Sequence, residues 1–202
     1  KISKDTSHVF EIGHEISSVI NVLDFVQTGL NSYWVGTSEG LFFFDGVLFE
    51  YREDLPKNIV QQLFFQDDQL YVLFYDQLYQ LSADGTGKKR LLHIENGVLE
   101  NESGYTITEG IGDHFLSSVL INDSQMTIRS HGYVLRISAN SHEFLLKRED
   151  LQLATIYGVM EDRGEYYLFG TDGVYRISNF DNVDISITKV TDRRVNSAFF
   201  DS

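Results

Sequence analysis

Residues 33–46 read Tyr33-Trp34-Val35-Gly36-Thr37-Ser38-Glu39-Gly40-Leu41-Phe42-Phe43-Phe44-Asp45-Gly46. Two runs of β-branched and aromatic residues flank a short turn that ends in glycine, a pattern that predicts a β-hairpin. The segment at 166–178 repeats the whole pattern, the one at 126–138 repeats it more weakly, and the one at 70–82 keeps only its apolar positions. A hairpin that recurs in this way indicates a repeat protein.

The apolar residue after the turn marks each repeat, and the markers are Leu41, Leu78, Tyr133 and Val174. Their spacings are 37, 55 and 41 residues. Two of these lie near the period of about 40 to 50 residues that propeller blades show. The long middle interval contains a polar stretch at 95–110, rich in turn residues, which we expect to be a loop.

Each repeat also has a leading strand before its hairpin and a trailing strand after it. The leading strands are predicted at 19–26, 59–66, 114–121 and 155–161, and the trailing strands at 48–51, 89–94, 143–147 and 184–190. No 3.6-residue apolar period extends over a useful length, so we expect little helix. The sequence therefore predicts an all-β fold, a β-propeller of four four-stranded antiparallel blades at about 19–58, 59–110, 111–150 and 151–192.

Both ends of the chain resemble single strands of incomplete blades. The stretch at 8–13 resembles a trailing strand, and the stretch at 194–201 resembles a leading strand. We therefore expect residues 1–202 to form one segment of a partial propeller. Open blade faces and strand edges need partners, so we expect further blades of the same protein, or a second copy, to cover them.

The composition excludes several functional classes. There are 16 basic and 30 acidic residues, giving a net charge of −14, which repels phosphate backbones and argues against nucleic-acid binding. The chain has no cysteine, so disulfides, thiolate metal sites and cysteine nucleophiles are absent. No stretch approaches 18 consecutive apolar residues, so we expect no membrane insertion by this segment.

The hairpin at 33–46 resembles the two-component regulator propeller repeat, in which an acidic turn precedes Trp-Ile/Val-Gly-Thr, two loose positions, Gly-Leu and an aromatic strand. The stretch at 161–173 is similar, with tyrosine in place of tryptophan, and 55–60 is similar to the family's connection into the next blade. The units at 19–58 and 155–190 match well, whereas the other two match in pattern only.

This resemblance implies a periplasmic sensory region, the extracytoplasmic part of a bacterial inner-membrane regulator. In that family such regions precede a histidine kinase or, in some cases, a diguanylate cyclase, and many members respond to glycan fragments. The function implied for this chain is thus ligand sensing in a hybrid two-component receptor, with an oligosaccharide or another small molecule as ligand. Two alternatives stay open, namely a propeller enzyme acting on glycans and an interaction scaffold without a small ligand.

The repeated motif itself is best explained by structure. The aromatic residues of the second strands are expected to pack between sheets: Trp34, Tyr71 and Tyr167. Glycines are expected to permit close backbone approach (Gly36, Gly170) or unusual turn angles (Gly40, Gly132, Gly173). Thr37 and Thr171 are expected to form hydrogen bonds within their turns. Function must then lie outside the motif.

No catalytic constellation is evident. The six histidines form no close ligand pair, no Gly-x-Ser-x-Gly elbow occurs, and the acidic turns do not fit a calcium loop. A glycosidase needs two carboxylates at a set separation, and nothing points to such a pair. We therefore predict no catalytic residue, no metal site, no cofactor and no enzymatic activity for this segment.

Blade topology suggests where a ligand would bind. In a four-stranded blade, the turn between the second and third strands lies on the same rim as the connection to the next blade. The long stretch at 95–110 is one of these connections, and long loops in compact domains are often functional. The predicted ligand-binding residues near this rim are Glu39, Asp76, Tyr105, His131 and Asp172.

Overall fold

The computed structural model describes residues 20–111, 116–122, 125–130, 133–147, 156–162, 165–178 and 186–193. Within these ranges the chain forms eighteen strands in four antiparallel sheets, and no helix. The predicted all-β, four-bladed partial propeller is thereby confirmed. The end strands expected at 8–13 and 194–201 lie outside the described residues.

The four sheets are consecutive in the chain, and each begins as a meander. Blade 1 contains β1 (Val22–Gln27), β2 (Tyr33–Thr37), β3 (Gly40–Phe44) and β4 (Phe49–Tyr51). Blade 2 contains β5 (Val60–Gln66), β6 (Gln69–Phe74), β7 (Gln77–Ser82), β8 (Lys89–Glu95), β9 (Val98–Asn101) and β10 (Thr106–Ile107). Blade 3 contains β11 (Leu116–Asn122), β12 (Gln125–Ser130), β13 (Tyr133–Ile137) and β14 (His142–Lys147). Blade 4 contains β15 (Ile156–Asp162), β16 (Glu165–Gly170), β17 (Gly173–Ser178) and β18 (Ser186–Thr191).

The first strands of successive blades lie against one another and are joined by side chains. Asp24 Oδ2 in β1 accepts a hydrogen bond from the Leu63 backbone N–H in β5 at 2.7 Å. One blade further on, Gln62 Oε1 accepts from the Val119 N–H at 2.9 Å. Asp24 and Gln62 each follow a register shift near the start of their strand, so they occupy equivalent positions. The repeat therefore extends to the contacts between blades.

Apolar side chains fill the spaces between neighbouring blades. Trp34 and Leu41 of blade 1 pack with Val60 and Val72 of blade 2. A larger cluster joins blades 2 and 3, and a smaller one, which includes Val134 and Leu168, joins blades 3 and 4. Because each sheet buries its faces against the next one, the core is a series of layers rather than a single centre.

The prediction of a loop at 95–110 is wrong. The chain instead turns at Asn96-Gly97, where both residues have positive φ (51° and 74°), and continues as β9 and β10. These two strands extend blade 2 to six strands. Leu99 and Ile107 are fully or almost fully buried, at 0% and 2% exposure. An Asn-Gly pair between short alternating runs is a strong hairpin signal, and it was present in the sequence.

The structural roles predicted for the motif are confirmed in blade 1. Trp34 is buried between blades 1 and 2, and a Cβ at Gly36 would lie 2.6 Å from Val60 Cγ1. Gly40 has φ +119°, and Thr37 Oγ1 donates to the Gly40 carbonyl at 2.8 Å. Tyr71 likewise packs in the layer between blades 2 and 3. Tyr167 is half-buried, and its hydroxyl donates to Glu165 Oε2 at 2.8 Å.

Gly85, in the turn between β7 and β8, closes the gap between blades 1 and 2. A Cβ there would lie 2.6 Å from the Trp34 ring and 2.3 Å from Arg52 Nη1. Arg52 donates to the Gly85 carbonyl at 2.7 Å and lies over the Trp34 ring, 5.5 Å from its centroid. The same guanidinium forms two hydrogen bonds with Asp54, at 2.9 and 3.1 Å. Trp34 is thus covered on this side by a turn from the next blade.

We predict that Gly85→Ala destabilises the chain by about 2 to 4 kcal/mol. The left-handed conformation at φ +79° and the overlap with Trp34 and Arg52 both contribute. Denaturant unfolding, followed by the fluorescence of the single tryptophan, measures the change.

The matched control is Gly104→Ala, because Gly104 has the same φ of +79° while its nearest Cβ neighbour is Glu100 Oε1 at 3.9 Å. This variant should lose only the part of the free energy of unfolding that comes from backbone conformation, about 1 to 2 kcal/mol. Equal losses in the two variants would show that the contact between Gly85 and Trp34 contributes nothing to stability.

Candidate functional site

The turns of the blades form two rims. The upper rim is formed by the turns at 38–39, 75–76, 96–97 and 171–172 and by the connection at 52–59 between blades 1 and 2. The lower rim is formed by the turns at 28–32, 45–48, 67–68, 83–88, 102–105 and 138–141. Strand direction decides the rim, because each strand of a meander carries the chain from one rim to the other.

Three of the predicted ligand-binding residues lie on the upper rim, as expected. Glu39 is within 3.9 Å of Lys57 Nζ, which comes from the connection between blades 1 and 2. Asp172 Oδ2 accepts from the Thr171 hydroxyl at 3.4 Å. Each lies in the turn of its own blade, so these residues form an acidic rim rather than one pocket. Ligand binding there stays a prediction.

Asp76 is the most constrained of these residues. Its backbone carbonyl accepts from the Ile94 N–H at 2.8 Å, which fixes the turn against β8. Its Oδ2 lies 3.5 Å from Gln77 Nε2, whereas its Oδ1 is buried and has no hydrogen-bond partner among the described residues. Another of the predicted ligand-binding residues, His131, lies outside the described residues.

The prediction that places Tyr105 on the upper rim is wrong. It follows β9, which runs back across blade 2, so it lies in the turn at 102–105 on the lower rim. The Tyr105 hydroxyl is 2.8 Å from His142 Nδ1 at the start of β14 in blade 3. The error has the same cause as the predicted loop, because the hairpin at Asn96-Gly97 sends β9 back to the lower rim before the turn at 102–105 reverses the chain again.

Asn101 at the end of β9 holds this turn against blade 3. Its Oδ1 accepts from the Ser103 N–H and the Tyr105 N–H, both at 3.0 Å. Its Nδ2 donates to the carbonyls of Ser138 and Ala139, both at 3.1 Å, in the turn between β13 and β14. Asn101 is only 6% exposed. One amide therefore connects the extra hairpin of blade 2 to the turn of blade 3.

A cavity lies between blades 2 and 3 on the lower rim, beside this connection. It has a volume of about 200 Å³, and we call it the 2–3 cleft. Its lining residues are Tyr71, Gln80, Lys89, Leu91 and Glu102 from blade 2 and Ile121, Gln125 and Met126 from blade 3. In the gap between blades 1 and 2, Gly85 occupies the space over Trp34. In the 2–3 cleft the equivalent turn at 138–141 is bonded to Asn101 and does not line the cavity.

One wall of the 2–3 cleft is a row of side chains across blade 2. Tyr71 pairs in register with Phe64 on one side and Gln80 on the other, and Gln80 pairs with Lys89. The Phe64 and Tyr71 rings stack with centroids 4.6 Å apart and planes inclined by 8°. Burial, assisted by the charge of Asp67, raises the pKa of Tyr71, so its hydroxyl stays protonated at neutral pH. The row thus changes from aromatic to amide to charged towards the outer strands.

A second cavity of about 140 Å³ adjoins the first and shares Gln125 with it. Its other lining residues are Arg136, Ser138, Ser141, His142 and Glu143, all polar and all from blade 3. His142 is the residue that contacts Tyr105, so the extra hairpin lines the first cavity through Glu102 and supports a wall of the second. No sequence pattern indicates this group, because its members become neighbours only when the six-stranded blade packs on the next one.

No metal-binding group of three or more histidines or acidic residues occurs within the part of the chain that the structure describes. Those residues also contain no helix long and apolar enough to cross a membrane.

The four successive meanders define this chain as a β-propeller arc. Among solved structures it is similar to two of the extracellular domain of BT4673 from B. thetaiotaomicron, described in one as a one-component system and in the other as a hybrid two-component system. The first is 15% identical with a TM-score of 0.54, over 79% of this chain and 21% of that one. The second is 16% identical with a TM-score of 0.56, over 84% and 22%. At such identities the likeness shows the fold.

The chain spans about a fifth of the length of these two structures. No protein-family model matches the sequence, and no curated protein matches it.

We predict that Asn101→Ala destabilises the chain by about 2 to 4 kcal/mol, because it leaves two backbone donors and two carbonyls without their shared partner. Hydrogen exchange should also become faster at the Ser103 and Tyr105 amides. Both effects can be followed in one exchange experiment with added denaturant.

Asn101→Asp is the matched variant, since it keeps an acceptor for the hairpin turn but loses the amide donor to blade 3. Exchange at Ser103 and Tyr105 should stay slow in this variant while stability still falls. Fast exchange in both variants would show that the Asn101 side chain does not act separately as acceptor for the hairpin turn and as donor to blade 3.

Proposed function

We propose that this chain is a ligand-sensing propeller segment from the periplasmic region of a bacterial two-component receptor. It is expected to act by binding and not by catalysis, with a kinase or cyclase elsewhere in the same protein supplying the output. The observation that carries the proposal is the 2–3 cleft, which two blades and an added hairpin form together. The shared fold with an extracellular domain of a described hybrid two-component system supports it.

A site between two blades suits a sensor, because a ligand there contacts both blades and favours one relative position of the two. Lys89 and Glu102 belong to blade 2, whereas Gln125 and Met126 belong to blade 3. A ligand that touches all four has a different affinity for any arrangement in which the blades move apart. Such a difference in affinity is what couples binding to conformational change.

The proposal includes further blades of the same protein, or a second copy, as partners. On β1, Val26 packs towards blade 2, so the neighbouring Phe25 points to the opposite side of the sheet, and Leu23, at the register shift, is a second apolar side chain that blade 2 leaves uncovered. They are 65% and 50% exposed. An apolar sheet face of this kind supports the expectation that another blade covers it.

Glycan fragments are the ligands that the family resemblance implies, and they are one class to test in the complete receptor. The acidic upper rim with Glu39, Asp76 and Asp172 is a second surface on which they would bind. Deleting 97–109 is not a clean test, because the deletion removes the buried side chains of Leu99 and Ile107. A point substitution at the mouth of the 2–3 cleft is therefore preferable.

We predict that Gln125→Trp in the complete receptor lowers the sensitivity of the signalling response at least tenfold, because the indole fills the mouth of the 2–3 cleft. Transcription of the regulated genes is measured against inducer concentration in cells that contain the parent or the variant in equal amounts. The inducer is the culture-medium fraction that activates the parent receptor.

Val47→Trp is the matched control. Val47 lies in a lower-rim turn of blade 1, is 72% exposed and does not line the cleft. Its response should equal that of the parent. If Gln125→Trp also responds like the parent, the cleft is not the sensing site.

A further inference from the structure

The mouth of the 2–3 cleft carries one positive and one negative charge. Lys89 Nζ and Glu102 Oε2 form an ion pair there, with side chains 56% and 41% exposed. Exposed pairs of this kind contribute little to stability, so opening this pair for a ligand costs little. Lys89 retains further donor hydrogens and Glu102 a second carboxylate oxygen. Each charge can therefore bind a ligand group of the opposite sign.

The walls supply unused hydrogen-bonding groups. Gln80 Nε2 donates to the Tyr71 hydroxyl at 3.3 Å, which leaves Gln80 Oε1 as an acceptor. The side-chain amide of Gln125 makes no hydrogen bond to any described residue. The Tyr71 hydroxyl keeps its own proton to donate. A ligand that enters here meets two amides and one phenol that line the same cavity as the ion pair.

The remaining surface is apolar and suits a small aliphatic body. Leu91, Ile121 and Met126 line it. Tyr71 offers no open ring face on which a sugar could stack, because it is 8% exposed and one face lies against Phe64. The volume of about 200 Å³ lies below the range of about 300 to 1,000 Å³ that is usual for drug-sized ligands, which favours a small ligand.

We infer that the 2–3 cleft binds a small zwitterion, a molecule that carries a carboxylate, an ammonium group and a short apolar body, as an amino acid does. The carboxylate binds Lys89, the ammonium group binds Glu102, and the apolar body lies against Leu91 and Met126. The inference rests on the proposed function, since it names the ligand class of the same cleft. The net charge of −14 supports it, because this surface repels a simple anion but not a neutral zwitterion.

Isothermal titration calorimetry of the full chain with L-leucine tests the ligand class. Three companion probes each lack part of the proposed ligand: N-acetyl-L-leucine lacks the ammonium group, L-leucinamide lacks the carboxylate, and D-glucose is neutral throughout. L-Leucine should bind at one site, both derivatives should bind at least tenfold more weakly, and glucose should not bind at the same concentrations. Absence of L-leucine binding, or equal binding of N-acetyl-L-leucine, overturns the inference.

Substitutions assign the binding to the ion pair. Lys89→Gln and Glu102→Gln should each weaken L-leucine binding at least tenfold, and the exchange Lys89→Glu with Glu102→Lys should restore it to within a few-fold of the parent. The matched control is Lys189→Gln with Asp192→Asn, which removes another exposed ion pair, of 2.7 Å, from the outer strand of blade 4. An effect of the control equal to that of the cleft variants overturns the assignment.

The receptor assay separates this inference from the proposed function. One outcome is that Gln125→Trp abolishes the response and that the cleft binds a neutral glycan fragment but not L-leucine. The zwitterion inference is then wrong, whereas the assignment of the cleft as the sensing site is correct. If Gln125→Trp leaves the response unchanged and none of the four probes binds, both the zwitterion inference and the assignment of the sensing site are wrong.

Discussion

Face-to-face burial of successive sheets is the constraint on which this structure depends. A four-stranded meander has two apolar faces and cannot cover either by itself. Trp34 illustrates the result, since it is 1% exposed only because blade 2 lies against it and Gly85 covers its edge. The hydrogen bonds from Leu63 to Asp24 and from Val119 to Gln62 maintain the same contact at the inner strands. Every feature at the rims is positioned by this packing.

The extra hairpin of blade 2 changes one gap in an otherwise regular series. Asn101 satisfies two donors in its own turn and two carbonyls of blade 3 at once. A buried amide with this many partners fixes a single arrangement, because any displacement leaves several polar groups unpaired. The turn at 138–141 is thereby held beside the gap rather than over Tyr71. The 2–3 cleft is the space that results.

The cleft connects the fold to the proposed activity. Its polar groups come from the outer strands of blade 2 and from the start of β12, and its apolar residues continue the layer between blades 2 and 3. A ligand that binds there adds to contacts that the blades already make. This gives binding a direct physical way to change the relative position of two blades, and it uses Tyr71 of the repeated motif together with residues outside the motif.

The sequence by itself determined the repeat. The hairpin at 33–46 and its copies predicted four blades, and the same pattern predicted the buried Trp34, the close approach at Gly36 and the turn at Gly40. These properties depend on residues near one another in the chain, where periodicity and turn chemistry act. The position of Glu39, Asp76 and Asp172 on the upper rim followed from strand direction alone. The hairpin in the stretch at 95–110 was encoded locally too, by the Asn96-Gly97 pair. The tertiary structure decided that Tyr105 meets His142, and that Lys89 and Glu102 share a cleft with Gln125. Those neighbours come from different blades, so only the packing of one sheet on the next could bring them together.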